Sequence, residues 1–418
     1  MKKILISVLV LTFLSLTYFA SAQMKSANKL YSQLKYYRAI PYFTKVVEGK
    51  NDSDKKEATW KLAECYRRTN NPKEAALWFE QAVNFKDVPA EVFLNYGNVL
   101  RNLGRYNDAI QQFESYLSFK PEAKEGTAYL EFSRQIESWK NLEPSAVIEN
   151  DSALNSRFSD FSPVYYKQGL VFISDRDYDM LDNNNYFWTG NGYLNLYFRE
   201  TETSVPTKMS NEFNQAYHDG PVCFSNNESQ IFTTRTLKTK WKRKDTIQTH
   251  YTGIYSAQLN VGKLAFNSFE YNNLAYSVAH PAVSEDGKLM IFSSDMPGGQ
   301  GKSDLYFSEL VDGKWSEPKN LGTKINTFGN EYFPFLANGT TLYFASNGHM
   351  GYGGLDLYKS EFKNGEWQEP ENLKAPINSS YDDFGILLNK DLTSGRFSSN
   401  RPGGLGDDDI YKFSELKK

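Results

Sequence analysis

His218 and His280 each stand just ahead of a proline in a short β-like stretch, "YHDGPVCF" and "AHPAVS". Imidazoles at matching places in neighbouring repeats are what a zinc-type centre would draw on. They lie three and one residues before their prolines, at different levels, and that argues against a shared metal. Asp407-Asp408-Asp409 would attract calcium, yet it lacks the alternating spacing and the glycine of an EF-hand loop and reads as a solvated turn. "SEDGKLMIF" at 284–292 approaches a sialidase-type Asp box, but its glycine follows Asp286 directly, one place early, as in an ordinary Asp-Gly hairpin. The chain contains no G-x-S-x-G, H-E-x-x-H, Walker or C-x-x-C motif. The expectation from these residues is a protein that is not an enzyme and uses no cofactor.

The remaining pattern that could do chemistry is repeated. "SSDMPGGQGKSDLYF" (293–307), "ASNGHMGYGGLDLYK" (345–359) and "SSNRPGGLGDDDIYK" (398–412) each set a glycine-rich bend before acidic residues and a tyrosine. Such a bend can cradle a phosphate, but recurrence at a fixed period has an architectural cause first. Pro163, Pro221, Pro281, Pro334 and, in the fifth place, Gly385 sit in short strands, each followed by an aliphatic-aromatic strand and then by "NLYF", "GIYS", "DLYF", "DLYK" or "DIYK". Trp315 and Trp367 introduce a fourth segment, "KWSEPKNLGTKIN" or "EWQEPENLKAPIN". Four strands per unit of about 50 residues is a propeller blade, and five units are present.

The fifth unit stops after its third strand. The missing piece precedes the first unit, in "EPSAVIENDSALNS" (143–156), so this segment is expected to close the ring and cover an open edge. In such a ring the glycine bends share a face with the connections between blades. Arg176, Asp304, Tyr332, Asp356, Tyr381, Arg401 and Asp409 are therefore the candidate partner-binding residues, expected around one channel mouth.

Upstream, from Ala27 to about Asn141, apolar residues return at helical spacing. Ala39 and Phe43, Ala75 and Phe79, and Ala109 and Phe113 recur at tetratricopeptide spacing, a small residue where helices approach and an aromatic beside it. Three helical hairpins follow, with a last helix at roughly Glu122–Trp139 covering the end of the stack. The expected fold is thus α+β multidomain: a signal peptide at 1–22, a tetratricopeptide-like helical domain at 23–142 and an all-β five-bladed propeller at 143–418. The concave side of the array, formed by the first helix of each pair, is the surface that competes with the channel mouth for a partner.

"MKKILISVLVLTFLSLTYFASAQ" reads as a secretory leader cleaved before Gln23, and no cysteine follows for lipid attachment. Losing Lys2 and Lys3 moves the formal charge from -3 by two units, to -5, and nothing in the balance suggests nucleic acid. No later apolar run is long enough to span a bilayer. Cys65 and Cys223 fall in different domains, so a disulfide framework is not expected. "TLKTKWKRKDTIQTH" (236–250), with Lys238, Lys240, Lys242, Arg243 and Lys244, reads as a solvated basic hairpin inserted in the second blade.

A leader, tetratricopeptide repeats and blades with "SSNRPGGLGDDDIY" (398–411) and "EPENLKAPINS" (369–379) resemble the OmpA-family cell-envelope proteins of Bacteroidetes, including the PorE-type component of the type IX secretion system. The blades are also similar to the WD40-like repeats of TolB. The resemblance implies an exported protein of the periplasm, associated with the outer membrane, that scaffolds other envelope or secretion proteins. Family members usually continue into a peptidoglycan-binding domain, and with the sequence ending at Lys418 wall binding is not carried over. The alternative is a propeller that senses a small ligand or glycan, or acts on it as a lyase.

Overall fold

A computed structural model describes residues 22–49, 54–139, 141–177, 185–225, 227–237, 250–259 and 262–416. Residues 1–21 of the leader-like segment and Lys238–Lys244 lie outside these residues. Of the described residues, those up to Gly126 together with 185–191 form one compact unit, and the others form a second.

The first unit is built from α-helices at 22–32 (α1), Tyr36–Glu48 (α2), Lys55–Arg68 (α3), Pro72–Ala82 (α4), Ala90–Asn102 (α5) and Tyr106–Phe119 (α6), and it ends within Lys124–Gln135 (α7). Local chemistry sets the breaks. The Asn71 side chain accepts the Glu74 N–H at the start of α4, with Pro72 at the first helical position. Asn70 and Gly104 take positive φ where α3 and α5 have ended. Phe43, Phe79 and Phe113 are fully buried beside Ala39, Ala75 and Ala109. A Cβ added to Gly97 would stand 2.5 Å from the Phe113 ring, so the small residue is what lets α5 and α6 approach. Trp188, from the stretch between the second and third strands of the first blade, packs edge-on to Tyr36 with ring centroids 4.9 Å apart and donates from Nε1 to the Arg68 carbonyl.

The second unit is a five-bladed propeller. Its blades are β2 (Asp160–Tyr166), β3 (Gly169–Ser174), β4 (Asn195–Arg199) and β5 (Thr207–Lys208); then β6 (Asp219–Ser225), β7 (Gln230–Thr236), β8 (Thr252–Gln258) and β9 (Asn267–Ser268). The third runs β10 (Val278–Val283), β11 (Leu289–Ser294), β12 (Asp304–Val311), with β13 (Lys314–Trp315) and β14 (Lys319–Asn320) both pairing β12. The fourth repeats this with β15 (Glu331–Ala337), β16 (Thr341–Ser346), β17 (Asp356–Lys363), β18 (Glu366–Trp367) and β19 (Glu371–Asn372). The fifth is β20 (Asp383–Leu388), β21 (Ser394–Ser399) and β22 (Asp409–Glu415), and its outer strand is β1 (Ala146–Asn150). β1 runs antiparallel to β22 from Ala146 opposite Glu415 to Asn150 opposite Tyr411. The N-terminal side of the propeller therefore supplies the strand that the last blade lacks. The first strands touch in a closed ring, β2 to β6, β10, β15, β20 and back to β2.

One asparagine per blade locks the returning chain to the third strand. Asn155, Asn214, Asn272, Asn326 and Asn378 accept from and donate to the backbone of Ile410, Leu196, Ile254, Leu305 and Leu357 respectively. Two-way bonding to a buried backbone pair is what an amide can do and a carboxylate cannot. Each first strand also carries a bulge, and Ser162, Gly220, His280, Phe333 and Gly385 take positive φ there. That bulge fixes which part of the strand faces the channel.

Candidate functional site

The glycine-rich bends are sites of backbone contact. A Cβ on Gly301, Gly353 or Gly406 would lie 2.2, 1.8 and 1.8 Å from the carbonyl oxygens of Thr327, Ser380 and Phe158, where the connection to the next blade passes. Asp304 accepts the N–H groups of Gln300 and Gly301 and the Asn320 amide at 2.8 Å. Asp409 does the same with Leu405, Gly406 and Asn150, and Asp356 with Gly353 and Asn372. All three carboxylates are buried. Their chemistry is to cap a turn and hold the outer strand.

Arg176 pairs with buried Asp160, donates to the Leu154 carbonyl at 2.8 Å and lies about 5 Å from the rings of Phe172 and Tyr197. Arg401 repeats this with Asp383, the Pro376 and Ile377 carbonyls, Phe397 and Tyr411. Arg235 pairs with Asp219 at 3.0 Å in the second blade. In the fourth the corresponding acid is Glu331, held by Thr327 and Ser346, and burial pushes its carboxyl up to about 7. The third blade has Val278 at the acid's position and Met296 packed in the same apolar cluster. Tyr332 donates to Asn330 at 3.0 Å and its ring meets His280, while Tyr381 is half-buried. The geometry thus assigns Arg176, Arg401, Asp304, Asp356 and Asp409 to the blade framework and sets Tyr332 against the ring of His280.

The channel is blocked at that level. Phe161, Phe384, Phe333 and His280, from four first strands, meet ring to ring at 5.7, 4.7 and 4.1 Å. His280 Nδ1 takes the Phe333 N–H at 3.4 Å and lies 3.1 Å from Ser293 Oγ, and burial pushes the imidazole down to about 3, so it is neutral. His218 accepts from the Leu194 N–H instead, and burial moves it to about 4. Among the described residues no three histidine, cysteine or acidic groups converge as metal ligands. On the same face Tyr129 packs on Phe328, and Trp139 packs on Tyr352 and under Lys374.

Beyond the bulges the first strands enclose a well of about 620 Å3. It is lined from all five blades and reaches the turns that follow these strands, around Tyr165, Glu228, Glu285 and Lys390. This is the other end of the channel from the expected mouth.

In the helical unit a polar strip crosses three first helices. Lys61 on α3 donates to Asn28 on α1 at 2.7 Å and to Glu57 at 2.5 Å. Glu64, one turn on, accepts from Arg67, Arg68 and Asn95 of α5. Glu64 is buried, and the two arginines hold its carboxyl below its ordinary value despite that burial. Asn28, Trp60, Lys61 and Asn95 are half-buried, and Lys61 lies 5.3 Å from the rings of both Tyr31 and Trp60. Amides, ammonium and aromatic faces set side by side can bind a peptide's backbone and side chains.

Residues 57–123 match the family of YpiA-like, C-terminal tetratricopeptide repeats. No curated protein matches the chain. Among solved structures, the second tetratricopeptide domain of human RPAP3, solved with an HSP70 peptide, is similar at 24% identity over 28% of this chain and 98% of that one, with a TM-score of 0.26. An exo-β-1,3-galactanase from Clostridium thermocellum is similar at 13% identity over 65% of this chain and 63% of its own, TM-score 0.39. An α-L-arabinofuranosidase from Lactobacillus brevis follows at 10%, over 63% and 91%, TM-score 0.37. At these identities the likeness is one of fold alone. The expectation of a protein that is not an enzyme is corrected by this finding: the solved structures similar over the propeller are glycoside hydrolases.

Proposed function

We propose that the chain is a protein–protein interaction scaffold of the cell envelope, with the helical repeats as its recruiting surface. The observation that carries this reading is the half-buried strip Asn28, Trp60, Lys61 and Asn95, drawn from successive first helices. A short array offers few contacts, and an arrangement of amides, a cation and aromatic rings concentrates them. The propeller, closed by its own N-terminal strand, supplies a rigid body on which a complex is assembled. The leader-like "MKKILISVLVLTFLSLTYFASAQ" and the blade motifs support the finer reading, an exported periplasmic protein attached to an outer-membrane or type IX secretion-like assembly. Among the described residues no helix is long and apolar enough to cross a membrane. Crosslinking in intact cells, followed by fractionation and identification of linked proteins, tests this. The reading expects envelope proteins crosslinked to a chain lacking residues 1–22. Recovery of the uncleaved chain with cytoplasmic partners would contradict it.

A further inference from the structure

The five-stranded well has a composition that selects its occupant. Its wall sets the aliphatic and aromatic side chains of Val164, Val222, Phe335, Ile386 and Leu388 beside polar lining of similar extent, and its charged groups stand at the turns that form its rim. Its floor is the ring stack that includes Phe333 and His280. Its volume of about 620 Å3 is that of a small-molecule site. Two hydroxyls that line it, Ser162 Oγ and Ser225 Oγ, are buried and have no hydrogen-bond partner. Unsatisfied buried hydroxyls cost stability unless something brings them an oxygen or nitrogen.

We propose that this well binds an aliphatic acyl chain carrying one or two oxygen atoms. A glycan is the poorer fit, because each sugar ring brings several hydroxyls past lining side chains of which, below the rim, only Ser162 and Ser225 carry a hydroxyl. A peptide inserted end-on would bring an N–H and a carbonyl per residue to the same wall. An acyl chain leaves its methylenes against the aliphatic side chains and needs partners only for its few oxygens. Its head group then lies at the rim, near Lys390 and Tyr165.

The test uses the full chain and straight-chain alkanoates of eight to fourteen carbons, measured by displacement of a fluorescent dansylamino-undecanoate. Affinity is expected to rise about fourfold per methylene until the well is full, the increment for burying one CH2. Ala282→Trp, which fills the wall from β10, is expected to lower affinity at least tenfold while Ser162→Ala lowers it a few fold. Saturable binding independent of chain length in the unaltered protein, or no binding, overturns the proposal whether or not Ala282→Trp folds. So does unchanged affinity in an Ala282→Trp protein with an unchanged melting midpoint, or preferential displacement by an oligosaccharide or peptide.

Discussion

At the scale of single residues, the propeller repeats one solution with different atoms. Asp160 with Arg176, Asp219 with Arg235 and Asp383 with Arg401 are buried ion pairs, and the third blade has an apolar Val278 and Met296 in that place. A buried pair is weak as a source of stability but costly to break, because the surviving charge is stranded. Asp160→Ala is therefore expected to cost about 3 kcal/mol, and Asp160→Val with Arg176→Met, which writes the third blade's pair into the first, should recover most of it. Urea midpoints of the three proteins check this. Glu331 gives a pH prediction. Its carboxyl is raised from an ordinary 4.5 to about 7 by burial, so the folded state holds the proton more tightly than the unfolded chain does. The associated stability is fully present below pH 4.5 and is lost as pH rises through 7. Glu331→Gln keeps the bonds to Thr327 and Ser346 by rotating their hydroxyls, and should match the unaltered protein at pH 4.5 and exceed it by about 3 kcal/mol at pH 8. Equal melting curves at pH 8 would show that the carboxylate is better solvated than its burial implies.

At the scale of elements, the glycines of one bend have separable tasks. Gly403 has a φ of +96° with open space around it, whereas Gly406 has ordinary φ but the Phe158 carbonyl 1.8 Å from any added Cβ. Gly403→Ala should cost about 1 kcal/mol through backbone strain, and Gly406→Ala about 3 kcal/mol by pushing the blade connection away; thermal melts rank them. β1 is the larger test. Removing residues 144–156 leaves β22 with an unpaired edge and removes the Asn155 lock on Ile410, so a chain lacking this segment should aggregate or melt without cooperativity. The blade count, the glycine bends and this closure were legible because the same letters recur at a fixed period. Asn214 and Asn272 do the work of Asn326 and Asn378, but their neighbours "NEFNQAY" and "YNNLAY" do not resemble "KINT" and "PINS", so the period does not reveal them. Trp188 was illegible for another reason: it lies in an insertion that no repeat predicts.

At the scale of the whole molecule, the sequence locates the channel but not its open end. Strand order alone brings Tyr332, Tyr381 and the arginines toward the face of the glycine bends. The bulges at Ser162, Gly220, His280, Phe333 and Gly385 reverse the expectation, since they set rings across the channel there and leave the well on the other side. Bulges leave no mark on hydrophobic alternation strong enough to read from one sequence. The helical unit follows the opposite logic: Phe43, Phe79 and Phe113 are buried in its packing, and the half-buried strip between first helices is the proposed recruiting surface. The direct measurement is in-cell crosslinking of partners to Lys61→Glu with Asn95→Ala, alongside the unaltered chain and Tyr332→Ala with Arg401→Ala, each checked for its melting midpoint. A scaffold recruiting through the repeats predicts at least a tenfold loss of crosslinked partner for the first variant at an unchanged midpoint, and little loss for a folded second variant. Undiminished crosslinking by a folded Lys61→Glu, Asn95→Ala protein would contradict it.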